Sequence, residues 1–257
     1  MPTLREVLKA TRPISYDNDD AEWEYSTRGS CVVLRLNERL YGATALHVPK
    51  SYNPSQIMIP YEEGDDHFLP MCEAFNVSTT EMEDTDHQDI LFIEIWREKL
   101  DTMRLKATSI VDITADTHKE TNAETKYMVS GYPFSLNSVD YDAKRIHHQA
   151  VHIYAGVEQR DCYLGVDRIR FHSDADLKSS TDRPDDNPFN GLSGGGVFSL
   201  TPNGLGDAIV AFQGILLRAT ASSRIGYVLK TDFIKHYLVG QQRESPSRSA
   251  SAVERNQ

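Results

Sequence analysis

The sequence predicts an all-β fold, and three observations carry that reading. Apolar, β-prone runs of roughly four to ten residues recur roughly every 10–15 residues. Turn residues separate them. Helical patterning is confined to the two ends of the chain. This is the pattern of a β-barrel or β-sandwich. The 257 residues suffice for one large β domain or two barrels of roughly 100 residues each.

Taken in order, Thr3-Leu4-Arg5-Glu6 has the capping-box pattern and predicts a short helix over residues 3–9. Residues 13–28 are polar and acidic and read as part of an extension. Ser30–Leu36 is a strand, Asn37-Glu38-Arg39 a turn, and Leu40–Val48 the second arm of a hairpin that carries His47. Residues 56–60 make a further short strand. From Tyr61 to Asp89 the chain holds ten acids and neither Lys nor Arg, which reads as solvated loop. Asp89 stands directly before the apolar run Ile90–Ile95, where an acid is partly desolvated. After a polar connector at 97–106, strands are expected at 107–113, 127–130, 150–154 and 165–171, then a polar loop at 172–188. Further strands follow at 197–200, 208–217 and 225–229, and Thr231 caps a closing helix reaching about Val239. The expected organisation is an extension (1–24), a first barrel with His47 and Asp89 (25–115), a second barrel with Ser193 and the closing helix (116–240), and a disordered tail (241–257).

Composition excludes several functions. The formal net charge of -11 argues against nucleic-acid binding, which needs clustered Lys and Arg. Apolar runs are too short to span a bilayer, so no membrane association is expected. No basic segment followed by an apolar core opens the chain, and a leader is not expected. Cys31, Cys72 and Cys162 are odd in number and widely spaced. They suit a reducing compartment, the cytoplasm, and argue against a structural metal site. The segment Asp84–Asp89 loosely has the look of a calcium loop but lacks its central Gly and closing Glu. His148 and His152 would share one strand face without a nearby third ligand, and read as surface or edge residues. No metal and no cofactor are expected.

The segment Asn187–Phe198 is Asn-Pro-Phe-Asn-Gly-Leu-Ser-Gly-Gly-Gly-Val-Phe. Glycines let a backbone turn sharply and let a ligand approach its N–H groups. A serine there has what acyl transfer needs, a nucleophile beside donors for a developing oxyanion. Alone, the motif fits a glycine-rich turn equally well, and a lone His47 is more often structural. A serine nucleophile needs a histidine base and an orienting acid, and His47, Asp89 and Ser193 stand in that order.

That order on a two-barrel chain resembles the chymotrypsin-fold, trypsin-like serine peptidases, in their intracellular bacterial-type branch. Thr44-Ala45-Leu46-His47 is similar to the family's T-A-A-H, Asp89-Ile90-Leu91 to its D-I-A or D-L-A, and Gly191-Leu192-Ser193-Gly194-Gly195 to its G-D-S-G-G or G-N-S-G-G. The resemblance covers roughly residues 25–240. It implies two six-stranded antiparallel β-barrels with a short C-terminal helix. It implies Ser193 as nucleophile, His47 as general base, Asp89 as its orienter, and the Gly191 and Ser193 N–H groups as oxyanion hole. It also implies a protein or peptide substrate paired with Leu217, Arg218 and Ala219. Asn187 would lie at the base of the specificity pocket, left open by Ala219 and Gly226.

Three departures stand out. Leu192 replaces the Asp that pairs with a new N-terminus in digestive members, Gly196 replaces the usual Pro, and Val48 replaces the cysteine after the histidine of secreted members. The first two leave room for a peptidase gated by an activating protein partner. A further alternative is a catalytically silent binding module on the same fold. The acids Asp185 and Asp186, with the 61–89 segment, would make the cleft rim negative and favour basic substrates.

Overall fold

The computed structural model describes residues 4–22, 24–49, 52–77, 88–102, 104–106, 109–114, 125–143, 145–172, 189–202 and 208–244. After a one-turn helix α1 (Leu4–Leu8), the first half of the chain forms β1 (Thr11–Asp17), β2 (Tyr25–Leu36), β3 (Arg39–Thr44), β4 (Ile57–Met58), β5 (Met71–Asn76), β6 (Leu91–Ile95) and β7 (Val111–Asp112). The second half forms β8 (Lys126–Gly131), β9 (Ser138–Asp140), β10 (Arg145–His147), β11 (Val151–Tyr163), β12 (Val166–Phe171), β13 (Gly196–Pro202), β14 (Ala208–Thr220) and β15 (Ile225–Lys230), and ends in helix α2 (Thr231–Glu244).

The fold is all-β, as the strand spacing predicts. β11, β12, β15, β14, β13 and β8 close a six-stranded antiparallel barrel. The first half is a curled seven-stranded sheet in the order β4-β1-β2-β3-β6-β5, with β7 added in parallel beside β2. It is therefore a half-barrel rather than a second closed six-stranded barrel. β9 and β10 make a separate hairpin.

Residues 13–28 correct the expected extension. β1 pairs with β2 along its whole length, from Thr11 opposite Val32 to Asp17 opposite Tyr25. Thr11, Arg12, Ile14, Ser15 and Tyr16 are buried. The polar residues concealed this strand, because the partners that make burial of Arg12 tolerable are mostly distant in sequence. Arg12 donates to the carbonyls of Tyr61, Thr11 and Ser109. Inside the acidic segment, β5 is a half-exposed edge strand on β6, and exposure of Glu73 gave it a loop-like sequence. Helix α2 continues past Val239 to Glu244, so the first residues of the expected tail are helical. Residues 245–257 lie outside the described residues.

Burial explains why the two halves hold together. In β2, Cys31 and Val33 face the interior of the first sheet, with Ile14, Ile57, Ile59 and Ile93. The alternate residues Val32, Leu34 and Leu36 face the other way, onto Phe198, Phe212, Ile215 and Leu217 of the barrel and Ile234 and Leu238 of α2. A strand alternates its side chains between faces, so β2 is apolar without a break from Cys31 to Leu34 because both of its faces are covered there. Each such side chain contributes about 1.5–3 kcal/mol on full burial. The barrel has its own interior, built from Val129, Ile153, Ile169, Phe171, Val197 and Leu216.

Candidate active site

His47 lies in the turn that follows β3, where Val48 N–H donates to Ala45 O. Val48 is buried, and its methyl groups lie against Gly29 of β2. That packing fixes the turn. Asp89 enters from the other side, two residues before β6, where its carbonyl accepts from Leu46 N–H. Since β3 and β6 are adjacent strands, Thr44 opposite Leu91, the two residues meet at one end of the sheet.

The contact between them is double. His47 Nδ1 lies 2.7 Å from Asp89 Oδ2, and the His47 backbone N–H donates to Oδ1 at 3.0 Å. An ionised carboxylate only accepts, so the proton of the neutral ring sits on Nδ1. Nε2 is left with a free lone pair, pointing away from the acid. His47 is nearly half exposed, so that nitrogen is reachable.

Ser193 is half-buried at the other side of the junction, in the turn before β13. The turn is built from Leu192 N–H to Phe189 O and Gly195 N–H to Leu192 O. It is stitched to β14 by Gly194 N–H to Leu216 O and Leu216 N–H to Gly195 O. It is stitched to the first sheet by Ser30 N–H to Ser193 O at 3.1 Å. The Cβ position of Gly194 would lie 1.9 Å from Ser30 O and 2.3 Å from Thr44 Oγ1, so the loop touches the strand that leads into His47. Ser193 Oγ makes no hydrogen bond to His47 among the described residues. Such bonds are often long in unliganded sites and tighten in the complex.

Gly191 has φ +91°, and a side chain there would strike Tyr132 O at 2.5 Å and Phe134 N at 2.7 Å. The carbonyl of Asn190 accepts from Phe134 N–H at 2.7 Å. In a trans peptide the N–H points opposite to the carbonyl, so Gly191 N–H is directed away from Phe134. Among the described residues neither Gly191 N–H nor Ser193 N–H has a backbone acceptor.

Other expected positions fall out differently. Leu217 sits where the β14–β15 register slips, between Leu216 opposite Val228 and Arg218 opposite Tyr227. It therefore has no directly opposed residue on β15. Arg218 is exposed and lies over the Tyr227 ring, 4.5 Å from its centroid. Ala219 pairs with Gly226. Gly226 does not border open space: a Cβ there would meet Leu216, Phe171 and Ile169 at 3.0–3.1 Å. Bulky barrel side chains fill that side, and Phe171 stacks on Phe189 at 4.7 Å. Gly196 does not loosen the loop either, since it pairs with Ser130 on one side and Ile215 on the other. Asn187, Asp185, Asp186 and the segment Asp84–His87 lie outside the described residues.

His148 corrects the surface reading. It is partly buried, with Nε2 3.3 Å from Ser15 Oγ and Nδ1 3.3 Å from Asn137 Oδ1. Burial, with the neighbouring His147 charge, pushes its pKa down to about 4. Burial also lowers His152. None of the three cysteines is in a disulfide, and burial pushes the Cys31 thiol up to about 12.

The sequence matches no family model and no curated protein. Among solved structures the chain is similar to the scabies mite inactivated protease paralogue S-D1, at 14% identity and a TM-score of 0.53 over 92% of each chain. At that identity the likeness shows the fold, which is chymotrypsin-like. No helix among the described residues is long and apolar enough to cross a membrane.

Proposed function

We propose that the protein is a serine endopeptidase acting on protein or peptide substrates in the cytoplasm. The observation that carries this reading is the double hydrogen bond from His47 to Asp89. It supplies an oriented base with a free Nε2 at the same junction where Ser193 is held. In the proposed reaction Ser193 Oγ bonds to the scissile carbonyl carbon while His47 Nε2 takes its proton. The carbonyl oxygen takes up negative charge opposite the N–H groups of Gly191 and Ser193. His47 then gives the proton to the leaving amine as the C–N bond breaks. Water repeats the sequence on the acyl-enzyme. Asp89 stabilises the imidazolium throughout. The substrate backbone pairs with β14 at the register slip around Leu217.

A second reading is a silent binding module on the same fold, and one observation favours it. One solved structure with this fold is, by its name, an inactivated protease. Fluorophosphonate labelling separates the two. The peptidase reading expects one phosphonylated serine, Ser193, with fluoride released, and loss of labelling in Ser193→Ala and His47→Ala. A folded wild-type protein that takes no label sinks it.

A further inference from the structure

We infer that Ser30 is the positioning residue of the oxyanion loop, doing here the work that an acidic residue before the nucleophile would otherwise do. The inference rests on the peptidase reading. Leu192 occupies that preceding position and is fully buried in the barrel interior, so it makes no ion pair. Something else must hold the loop.

Ser30 lies in the middle of β2 and is fully buried, and every polar atom it has is spent on this junction. Its Oγ donates to Gly191 O at 2.7 Å and accepts from Tyr132 N–H at 2.8 Å. Its N–H donates to Ser193 O at 3.1 Å, and its carbonyl accepts from Thr44 Oγ1 at 2.7 Å. Neither bond of the hydroxyl lies within its own sheet. The Ser30 hydroxyl instead reaches Gly191, 161 residues away, and Tyr132, 102 residues away.

These bonds fix the 191–192 and 193–194 peptide planes, which flank the planes that carry the two donor N–H groups. Gly191 O and Ser193 O, the carbonyls of the two residues that offer N–H donors, both face Ser30. The plane that carries Gly191 N–H is set from its other end by Phe134, two residues after Tyr132, whose own N–H is pinned by the Ser30 hydroxyl. One side chain therefore holds the loop and the segment behind it. Thr44 ties the same residue to the strand that leads into His47, so nucleophile loop and base share an anchor.

Ser30→Ala removes both hydroxyl bonds and leaves Gly191 O and the buried Tyr132 N–H without that partner. Removal of a single oxyanion donor costs roughly 10²–10³ in rate, and a donor that drifts costs part of that. The test compares two reactions of wild type and Ser30→Ala. Fluorophosphonate labelling of Ser193 needs the oxyanion donors. Methylation of His47 Nε2 by methyl 4-nitrobenzenesulfonate, read by mass spectrometry on the His47 peptide, does not. The expected result is phosphonylation about 10–100-fold slower at unchanged final stoichiometry, with His47 methylation within about twofold of wild type. Phosphonylation at the wild-type rate, or equal loss in both reactions, overturns the assignment while leaving the peptidase reading standing. If wild type methylates at His47 but takes no fluorophosphonate, the peptidase reading fails and this assignment fails with it. Should Ser30→Ala not fold, Ser30→Cys, whose thiol is a weak donor, is held to the same outcomes.

Discussion

Asp89 receives two hydrogen bonds from one residue, the ring Nδ1 and the backbone N–H of His47. A carboxylate held at both oxygens fixes the imidazole plane and its tautomer together. Asp89→Asn keeps the shape but offers an amide, whose N–H group faces Nδ1 or whose oxygen replaces only one acceptor. The other tautomer, with the proton on Nε2, then competes. Fluorophosphonate labelling is expected to slow by about 10³–10⁴-fold, as loss of the acid's orienting role does in triads of this kind. The thermal midpoint should move by only a few degrees, because the pair is partly exposed and such pairs contribute little to stability. A labelling rate within tenfold of wild type would show that Asp89 does not orient the base.

Two glycines with similar backbone angles should respond differently to the same substitution. Gly194 has φ +85°, and its Cβ position lies 1.9 Å from Ser30 O. Gly64 has φ +78° with nothing within 4 Å. Each alanine costs about 1–2 kcal/mol for the left-handed backbone. Only Gly194→Ala also forces the serine loop off β2. It is expected to lose labelling by about 100-fold or more, while Gly64→Ala labels normally and loses stability alone. Urea titration beside labelling kinetics checks both. Normal labelling of Gly194→Ala would mean that contact with β2 does not position the nucleophile.

Much of this candidate site is legible in the sequence, and the part that is not has a physical explanation. His47 and Asp89 could be found because a strand boundary leaves a local mark, an apolar run that starts or stops at a polar residue. Ser193 could be found because tight backbone approach demands glycine. Ser30 left no such mark. It is one small polar residue in an apolar strand, and its partners Gly191 and Tyr132 are distant in sequence, so only the fold assembles them. β1 was concealed for a related reason, since Thr11, Arg12 and Ser15 are buried with polar side chains. Leu192 and Gly196 read as missing anchors when taken singly. In the fold, Leu192 packs into the barrel interior and Gly196 is paired on both sides, so the loop is held by different contacts.

Protonation of His148 gives the protein an acid-sensitive joint between its halves. The ring contacts Ser15 of β1 and Asn137, and stands edge-on to Tyr132 at 6.1 Å. Asn137 Oδ1 accepts only, so Nδ1 carries the proton of the neutral ring and Nε2 takes the Ser15 hydroxyl hydrogen. Burial favours this neutral form, holding the folded pKa at about 4 against an ordinary 6.5. The unfolded chain therefore binds a proton that the folded chain refuses, and stability must rise with pH across that window. The contribution is complete above about pH 6.5, declines as pH falls, and is gone below about pH 4. At roughly 1.4 kcal/mol per pH unit its ceiling is about 3 kcal/mol, reduced by the ring's partial exposure. His148→Gln removes the titration. The stability difference between wild type and His148→Gln, from urea titrations at pH 7 and pH 4.5, should shift by about 1–3 kcal/mol against wild type at the lower pH. His152 titrates in the same direction in both proteins and cancels from that difference. A difference that is the same at both pH values would mean that His148 takes up its proton equally well folded and unfolded.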